Sequence, residues 1–438
     1  MYRLPLFVVL LLLCDSAGAQ SVHGRATDYD TISFAAFPPG FPRFETAFSD
    51  SIAARVAAGE LRESLAYHHY LMIGRYGLVN AAAELPLEYG LATADTGAVR
   101  ALADYRLVDA EAYIAEAARD KNLLIITEAH TKPQHRVFTR CLLDELYVAG
   151  YRHLGLENVL PAHAGTRSEP FDTLLQARGY PVQSAASGIY PSEPEYANLL
   201  RHALDLGFQL FAYERNGSSD SERDLQQAEH IVAYQQAHPG EKIVCHGGWS
   251  HAVETRTEKW PGSGSYWLAY HYRTLTGDDP LTVYQDAMNE KVAAEQSSGP
   301  YYMALLERLR PGDTPKVLVD SSGHSWKGPG GSLPFDIVTV EPPLNSRTGR
   351  GGWQDWSCDG RAYIDLDLGT LLAEQQPAPA YPVIVELRGR SESQIATPIY
   401  AAEIERAGTA PTIRLWNEPY RMVVKDRFGD RTERPVNE

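Results

Sequence analysis

The chain has 438 residues, enough for two or three domains or for one elaborated α/β core. Its apolar fraction of 44% and charged fraction of 22% are ordinary for a globular protein. A formal net charge of −16 argues against a broad nucleic-acid-binding or anionic-membrane surface, although it does not select a substrate.

The first nineteen residues have the pattern of a secretory signal peptide. Arg3 supplies a positive start, an apolar run covers residues 6–13, and a small-residue cleavage site ends at Ala19. The run is too short to span a membrane, and no later stretch is apolar enough to do so. Cys14 could be a lipidation site, but the residue before it fits that pattern poorly. We therefore expect cleavage after Ala19 and a secreted or periplasmic protein without a transmembrane segment.

The cysteine pattern predicts no disulfide framework. After cleavage the chain keeps Cys141, Cys245 and Cys358, so at least one thiol is unpaired or pairs between chains. Cys141 lies on a predicted core-facing helix stripe and Cys245 ends a predicted buried strand, so both are read as small buried apolar residues.

After the signal peptide, the pattern divides the chain into three parts. Residues 20–118 read as an irregular arm followed by a helical segment. Residues 119–345 alternate short apolar runs with helical patterns, which is typical of a parallel sheet flanked by helices. Residues 346–438 read as a small β-rich module, with strands set between Gly and Pro turns. The expected fold is α/β, with a mainly parallel central sheet, an N-terminal helical segment and a C-terminal β-rich module.

The α/β part begins with a strand–loop–helix–strand unit. Residues 123–126 form a short, partly β-branched apolar run that predicts a buried strand. Pro133 separates this strand end from a helix whose end is marked by Gly150. A second strand then ends at Glu157.

Acids and imidazoles recur where the predicted strands end. Four successive runs end in Glu128 with His130, Glu157, Glu214, and His246 with His251. Ligands of open α/β sheets sit outside the carboxyl ends of the strands, so we expect these side chains to form one acid–imidazole site.

General acid–base chemistry suits these residue types. A neutral imidazole can take a proton from water, and a carboxylate on its other nitrogen holds the tautomer and stabilises the charged form. We assign the base to His130, supported by Glu128 and Glu157, with His251 as partner acid or as a group that orients the base. Arg223 could steady a carboxylate or a developing oxyanion.

The remaining site residues and the metal alternative follow from the same placement. His246 joins the catalytic group, and His135, Tyr213 and Trp249 are expected to contact substrate. His130, Glu157 and His251 could instead form a nitrogen–oxygen metal site with an open position for water. Their spacing does not match HExxH, and the chain has no GxSxG elbow or phosphate loop.

Four motifs together resemble the erythromycin esterase-like/ChaN-like superfamily, to which the TIKI/TraB proteins are related. The motifs are TEAHTKPQH, LGLEN, RDLQQAEH and VCHGGWSH, and the resemblance covers roughly residues 120–290. Thr127 replaces the Gly of the family pattern and Gln227 replaces its Met. The last motif carries Gly-Gly-Trp-Ser between its two His residues.

The resemblance implies three alternative functions. In erythromycin esterases the His after the Glu activates water without a metal, a role that carries over to His130. ChaN-like relatives bind haem, and TIKI-type relatives are metal-dependent proteases. The leading hypothesis is an exported hydrolase of a small-molecule or peptide substrate that requires no cofactor. The alternatives are an exported protein that binds haem or a divalent metal, and a metal-dependent protease. The sequence identifies neither the substrate nor the oligomeric state.

Overall fold

A computed structural model describes residues 44–83, 91, 96–157, 159, 172–184, 187–214, 220–256, 265–290, 299–310, 312–344, 352–357 and 359–437. The predicted signal peptide, Cys14 and Cys358 lie outside the described residues. No helix among the described residues is both long enough and apolar enough to cross a membrane.

The α-helices are α1 Ser49–Ala57, α2 Glu63–Met72, α3 Tyr76–Ala83, α4 Thr96–Arg100, α5 Ala110–Ala117, α6 Pro133–Val148, α7 Leu175–Arg178, α8 Pro194–Leu206, α9 Asp220–Ala237, α10 Leu268–Thr276, α11 Pro300–Met303 and α12 Leu368–Ala373. The strands are β1 Arg106–Asp109, β2 Leu123–Glu128, β3 Tyr151–Leu156, β4 Gln209–Ala212, β5 Lys242–Gly248, β6 Leu281–Met288, β7 Lys316–Val319, β8 Ile337–Val340, β9 Tyr363–Asp367, β10 Val383–Gly389, β11 Tyr400–Ile404, β12 Thr412–Trp416, β13 Tyr420–Lys425 and β14 Arg431–Val436. Short 3-10 turns include Tyr190–Ser192 before α8 and Trp249–Ala252 directly after β5.

Eight strands form the central sheet in the order β1-β7-β8-β6-β2-β5-β3-β4. All neighbours from β8 to β4 pair in parallel, whereas β7 pairs antiparallel with β1 and β8. The expected α/β fold with a mainly parallel sheet is confirmed. Strand β1 comes from the part of the chain expected to be helical. It is a four-residue edge strand with exposed ends, so its sequence carries little alternation to detect.

Strand β2 lies in the interior of the sheet, between β6 and β5. Every side chain in it is buried. Leu124 and Ile126 pack into the apolar layer on one face, and Leu123 and Ile125 pack into the layer on the other. Successive side chains of a strand point to opposite faces, so a continuous apolar run suits a strand that is covered on both sides. Each such burial contributes about 1.5–3 kcal/mol, which anchors the strand end that carries Glu128.

Helix α6 ends where the sequence predicts, but it begins at Pro133 itself, the residue that was expected to separate the strand end from the helix. Pro133 occupies its first turn, where a missing N–H costs nothing. Gly150, just past its end, has a φ of 95°, the left-handed conformation that glycine adopts at helix ends. The interpretation of Cys141 as a plain buried residue is wrong, because this helix residue is disulfide-bonded. Cys245 is a free, buried thiol as expected.

The C-terminal strands form a separate β-rich module, as expected. A four-stranded antiparallel sheet has the order β11-β10-β13-β14, and β12 pairs with β9 beside it. The module has its own apolar core, which includes Val385, Leu415 and Met422.

The module is bound to the rest of the chain by partly buried polar contacts. Arg201 of α8 donates to both carboxylate oxygens of Glu392, each at 2.7 Å. Glu403 of β11 accepts hydrogen bonds from the backbone N–H and the hydroxyl of Ser49, at 2.8 and 2.9 Å. These contacts hold helices α1 and α8 against the module.

Candidate active site

Three adjacent strands bring the site residues to one edge of the sheet. Strand β5 lies between β2 and β3, although it follows both in the sequence. Glu128, the last residue of β2, is opposite Gly248, the last residue of β5. Beyond the end of β3, the backbone N–H of Glu157 donates to the carbonyl of His246 at 3.3 Å. The carboxyl ends of these strands therefore form one small surface.

Glu128 is the fully buried centre of the first half of the site. One carboxylate oxygen accepts from His130 Nδ1 and Arg136 Nη2, each at 2.9 Å. The other accepts from Arg136 Nε at 2.7 Å and His246 Nε2 at 2.9 Å. Burial alone would raise the pKa of this carboxyl, but the Arg136 guanidinium and the two imidazole hydrogen bonds hold it well below its usual value. Glu128 is thus ionised, and its acceptor sites are filled.

Arg136 belongs to this cluster of contacts, although the sequence analysis did not assign it to the site. Its side chain is fully buried on the first turn of α6. Besides the two bonds to Glu128, it donates to Glu193 at 2.8 Å and to the carbonyl of His130 at 2.9 Å. The carboxylates that Arg136 binds lie outside α6. The only sign of its role in the sequence is therefore an arginine among the apolar residues of a predicted helix.

The hydrogen bond to Glu128 sets the tautomer of His130. An ionised carboxylate can only accept, so Nδ1 of His130 carries a proton, and in the neutral ring Nε2 keeps its lone pair. The ring lies above Gly248, where an added Cβ would stand 2.7 Å from Nε2. The same point is 3.3 Å from Oε2 of Glu157. His130 Nε2 and Glu157 Oε2 therefore both lie over Gly248.

Glu157 is the centre of the second half of the site. Its Oε1 accepts from Arg223 Nη2 at 2.5 Å and from His251 Nε2 at 3.0 Å. Its Oε2 accepts from the backbone N–H of Gly248 at 2.5 Å. Burial disfavours the charged carboxylate, but His251 and Arg223 keep its pKa well below the usual value. Among the described residues only one donor faces Oε2, which leaves that oxygen an acceptor site on the side of His130.

His251 is held between two carboxylates. Its Nδ1 donates to Asp224 at 2.6 Å, and its Nε2 faces Glu157. Burial would lower its pKa, but the two carboxylates raise it to about 10. The ring is therefore an imidazolium at neutral pH, with both N–H groups donating. Asp224, which also accepts from the backbone N–H of Leu268 at 2.8 Å, is the second residue that the sequence analysis did not assign to the site.

Arg223 and Glu214 complete this half from the far side. Arg223 donates to both oxygens of Glu214, at 2.9 and 2.5 Å, while it also binds Glu157. Gln227, one turn further along α9, donates to Glu214 at 3.0 Å. Gln227 thus anchors the acid that follows β4.

Three other predicted site residues are buried behind this surface. His246 lies between Glu128 and the hydroxyl of Thr139, which is 3.2 Å from its Nδ1. His135 accepts from the backbone N–H of Ala129 at 2.9 Å, and burial lowers its pKa to about 3. Tyr213 donates to the carbonyl of His246 at 3.2 Å. For His135 and Tyr213 the observed contacts support the backbone, and their predicted contact with substrate remains a prediction.

Aromatic side chains surround the accessible face of His130. Trp249 and Tyr190 are half-buried, with ring centroids 4.5 and 4.8 Å from that of His130. The indole N–H of Trp249 has no partner among the described residues. His68 of α2 makes an edge contact with Tyr190, with centroids 4.8 Å apart. The N-terminal helical segment therefore reaches the site, which its sequence did not indicate.

The donor set does not fit a resident metal ion in this arrangement. Both nitrogens of His251 face carboxylates, and Glu128 has no acceptor site left. Across the described part of the chain, no group of three or more His, Cys, Asp or Glu side chains is arranged to hold a metal ion.

Comparisons with known proteins give distant structural likeness only. No family model and no curated protein matches the chain. Twelve chains of solved structures match. The type III effector HopBA1 is 13% identical over 57% of this chain and 99% of its own, with a TM-score of 0.30. A toxin effector domain from Vibrio vulnificus, RRSP, is 20% identical over 45% of this chain and 37% of its own, with a TM-score of 0.29. ChaN of Campylobacter jejuni, whose structure shows cofacial haem binding, is 9% identical over 45% of this chain and 95% of its own, with a TM-score of 0.29. Scores this low carry no argument about activity.

Proposed function

We propose that this protein is an exported hydrolase of the erythromycin esterase-like superfamily, in which His130 activates water for attack on an ester-type carbonyl. The observation that carries the proposal is the placement of His130 Nε2 and Glu157 Oε2 together over Gly248. A base with a lone pair on Nε2 and a carboxylate with an acceptor site on Oε2 thus lie close to each other, an arrangement suited to the activation of a water molecule.

Glu128 prepares His130 for this step. Its ionised carboxylate keeps the proton on Nδ1, so Nε2 is free to take a proton from water. The imidazolium that forms then lies between the negative charges of Glu128 and Glu157. Both carboxylates are preorganised by arginine before the reaction begins, which reduces the reorganisation that the transition state requires.

We assign His251 a positioning role instead of the predicted role of partner acid or base. A ring that donates from both nitrogens, with a pKa near 10, is a poor proton carrier at neutral pH. Together with Arg223, it fixes the Oε1 side of Glu157 and leaves Oε2 facing His130.

The proposal is tested with wild type, His130→Ala and Glu157→Gln on a panel of chromogenic esters, lactones and peptides. Both variants are expected to lose about 10²–10⁴-fold in kcat/KM on the substrate that wild type turns over. His324→Ala is the matched control, because this histidine lies on an exposed loop with its side chain 82% exposed. Full activity in both site variants, with folding intact, would end the proposal.

The alternatives predict different properties of the purified protein. A Soret band in the absorption spectrum, without turnover of any substrate on the panel, would favour the haem-binding hypothesis. Stoichiometric metal whose removal abolishes peptide cleavage would favour the metal-dependent protease. Export is tested separately, since a processed protein is expected to begin at Gln20, the residue after the predicted cleavage site.

A further inference from the structure

The loop that joins strands β10 and β11 of the C-terminal module contacts the α/β part of the chain. It covers residues 390–399, its last five residues are buried, and we call it the module loop. The backbone N–H of Gln183 donates to the carbonyl of Ile395 at 2.8 Å. Val182 pairs with Ala396 as an isolated antiparallel bridge. The module loop is therefore joined to the connection between β3 and α8.

Thr397 links the module loop to the turn that carries Tyr190. Its side chain is fully buried, and its hydroxyl donates to the carbonyl of Pro191 at 2.8 Å. Its backbone N–H donates to the carbonyl of Pro181 at 2.9 Å. Pro191 is itself buried, so its carbonyl would be left without a donor if the hydroxyl were removed. One residue of the module thus holds two points of the connection before α8.

The module loop is in turn held against α8 by side chains of that helix. Arg201 donates to both oxygens of Glu392, each at 2.7 Å, and to the carbonyl of Thr397. Asn198, one turn earlier, donates to the carbonyl of Ile399 at 2.9 Å. The position of Thr397 is therefore fixed on the helix side as well as on the side of the turn.

The turn that the module loop contacts belongs to the proposed site. Tyr190 directly precedes Pro191, and its ring centroid is 4.8 Å from that of His130. Two residues after Pro191, Glu193 accepts from Arg136 at 2.8 Å. A shift of the Pro191 carbonyl would therefore move the ring beside the base together with an acceptor of Arg136.

We propose that Thr397 is a positioning residue of the active site, through which the C-terminal module fixes the ring of Tyr190 beside His130. The inference rests on the proposed function, in which His130 is the base. It gives the module a part in building the site, because a displacement of roughly 1 Å at a group that shapes an active site costs about 10²-fold in rate.

The first test compares Thr397→Val and Thr397→Ser with wild type on the ester that wild type hydrolyses. Valine keeps the volume and removes the hydroxyl, whereas serine keeps the hydroxyl and loses a methyl group. We expect kcat/KM to fall by about 10-fold to 10²-fold in Thr397→Val and to stay near that of wild type in Thr397→Ser. No loss in Thr397→Val, or an equal loss in both variants, would overturn the proposal.

The matched control is another threonine of the module. The hydroxyl of Thr432 in β14 donates to Gln375 at 3.3 Å, so both partners of this bond lie inside the module. Thr432→Val should leave kcat/KM unchanged. A loss as large as that of Thr397→Val would show that any lost hydroxyl in the module has the same effect, and it would overturn the specific role of Thr397.

A second test asks whether the effect passes through Tyr190. Tyr190→Ala removes the ring that Thr397 positions, and it should itself lower the rate. In that background Thr397→Val should cause no further loss of kcat/KM, because residues that act through one contact are not additive. A further loss as large as that in the wild-type background would overturn the assigned path.

Hydrogen exchange separates this inference from the proposed function, because it requires no substrate. The N–H groups of Ser192 and Glu193 are bonded within the turn at 3.2 and 3.0 Å, and a peptide covering residues 187–193 reports their exchange. Thr397→Val should speed this exchange by about 10-fold, and Thr397→Ser should not. Unchanged exchange in Thr397→Val overturns the positioning role. Absence of ester turnover by wild type refutes the proposed function, and the exchange then still decides whether Thr397 fixes the turn.

Glu392→Gln takes the place of Thr397→Val if that variant does not fold. It replaces the charged partner of Arg201 by an amide of the same shape, so the module loop is held less firmly against α8. Exchange in the turn should again become faster than in wild type. Equal exchange in the two proteins would overturn the proposal.

Discussion

Replacement of Gly248 by Ala tests whether the position of His130 determines the activity. The backbone there has φ −83° and ψ 152°, which alanine adopts without strain. The added Cβ would stand 2.7 Å from both Cε1 and Nε2 of His130, closer than a methyl group can approach. The same Cβ would stand 3.3 Å from Glu157 Oε2, so the substitution presses mainly on the His130 ring and leaves the backbone alone.

The His130 ring cannot retreat freely from that methyl group. It is tied to Glu128 at 2.9 Å and lies between the rings of Tyr190 and Trp249. Relief of the contact requires a shift of roughly 1 Å, and a displacement of that size at a reacting group costs about 10²-fold in rate. This corresponds to about 2.7 kcal/mol of activation free energy. Local overpacking is expected to lower the free energy of unfolding by about 1–3 kcal/mol.

The assay is kcat/KM on the ester that wild type hydrolyses, with urea unfolding as the measure of folding. Gly77→Ala is the control, because an added Cβ on this exposed glycine of α3 meets no other atom. In a His130→Ala background, Gly248→Ala should cause no further loss of rate, since the ring that it displaces is absent. Full activity in Gly248→Ala, or an equal loss in the His130→Ala background, would refute the assignment of His130 as the base.

Two further predictions concern buried charges. Arg136→Met removes the cation between the buried acids Glu128 and Glu193, so the free energy of unfolding should fall by about 3–5 kcal/mol in urea denaturation; a fall below about 1 kcal/mol would contradict the role of Arg136. The folded-state pKa of His251, about 10, lies above the ordinary value of 6.5, so its ionisation stabilises the fold fully below pH 6.5 and loses that effect as the pH rises through 10. In urea denaturation, the free energy of unfolding of wild type should therefore decrease between pH 6.5 and pH 10. The decrease should be smaller in His251→Gln, and an equal decrease in both proteins would refute the raised pKa.

The sequence by itself indicated the sheet and the edge at which the site lies. A continuous apolar run such as residues 123–126 favours a strand covered on both faces, whatever packs against it. The acids and imidazoles after such strands must share an edge if the strands are parallel, so the sequence alone groups Glu128, Glu157 and His251. Gly150 indicates a helix end through a backbone preference that acts locally.

Only the tertiary structure decided which groups meet and in which state of charge. Strand β5 inserts between β2 and β3, so Gly248 comes to lie beneath His130 and next to Glu157, a contact that no spacing along the chain expresses. The rotation of α6 directs Arg136 at Glu128, and α9 directs Asp224 at His251. His68 contacts Tyr190 from helix α2, whose sequence looks like ordinary packing. Periodicity and capping are properties of neighbouring residues, whereas the ionisation of a buried side chain depends on charges brought close by the packing of distant elements.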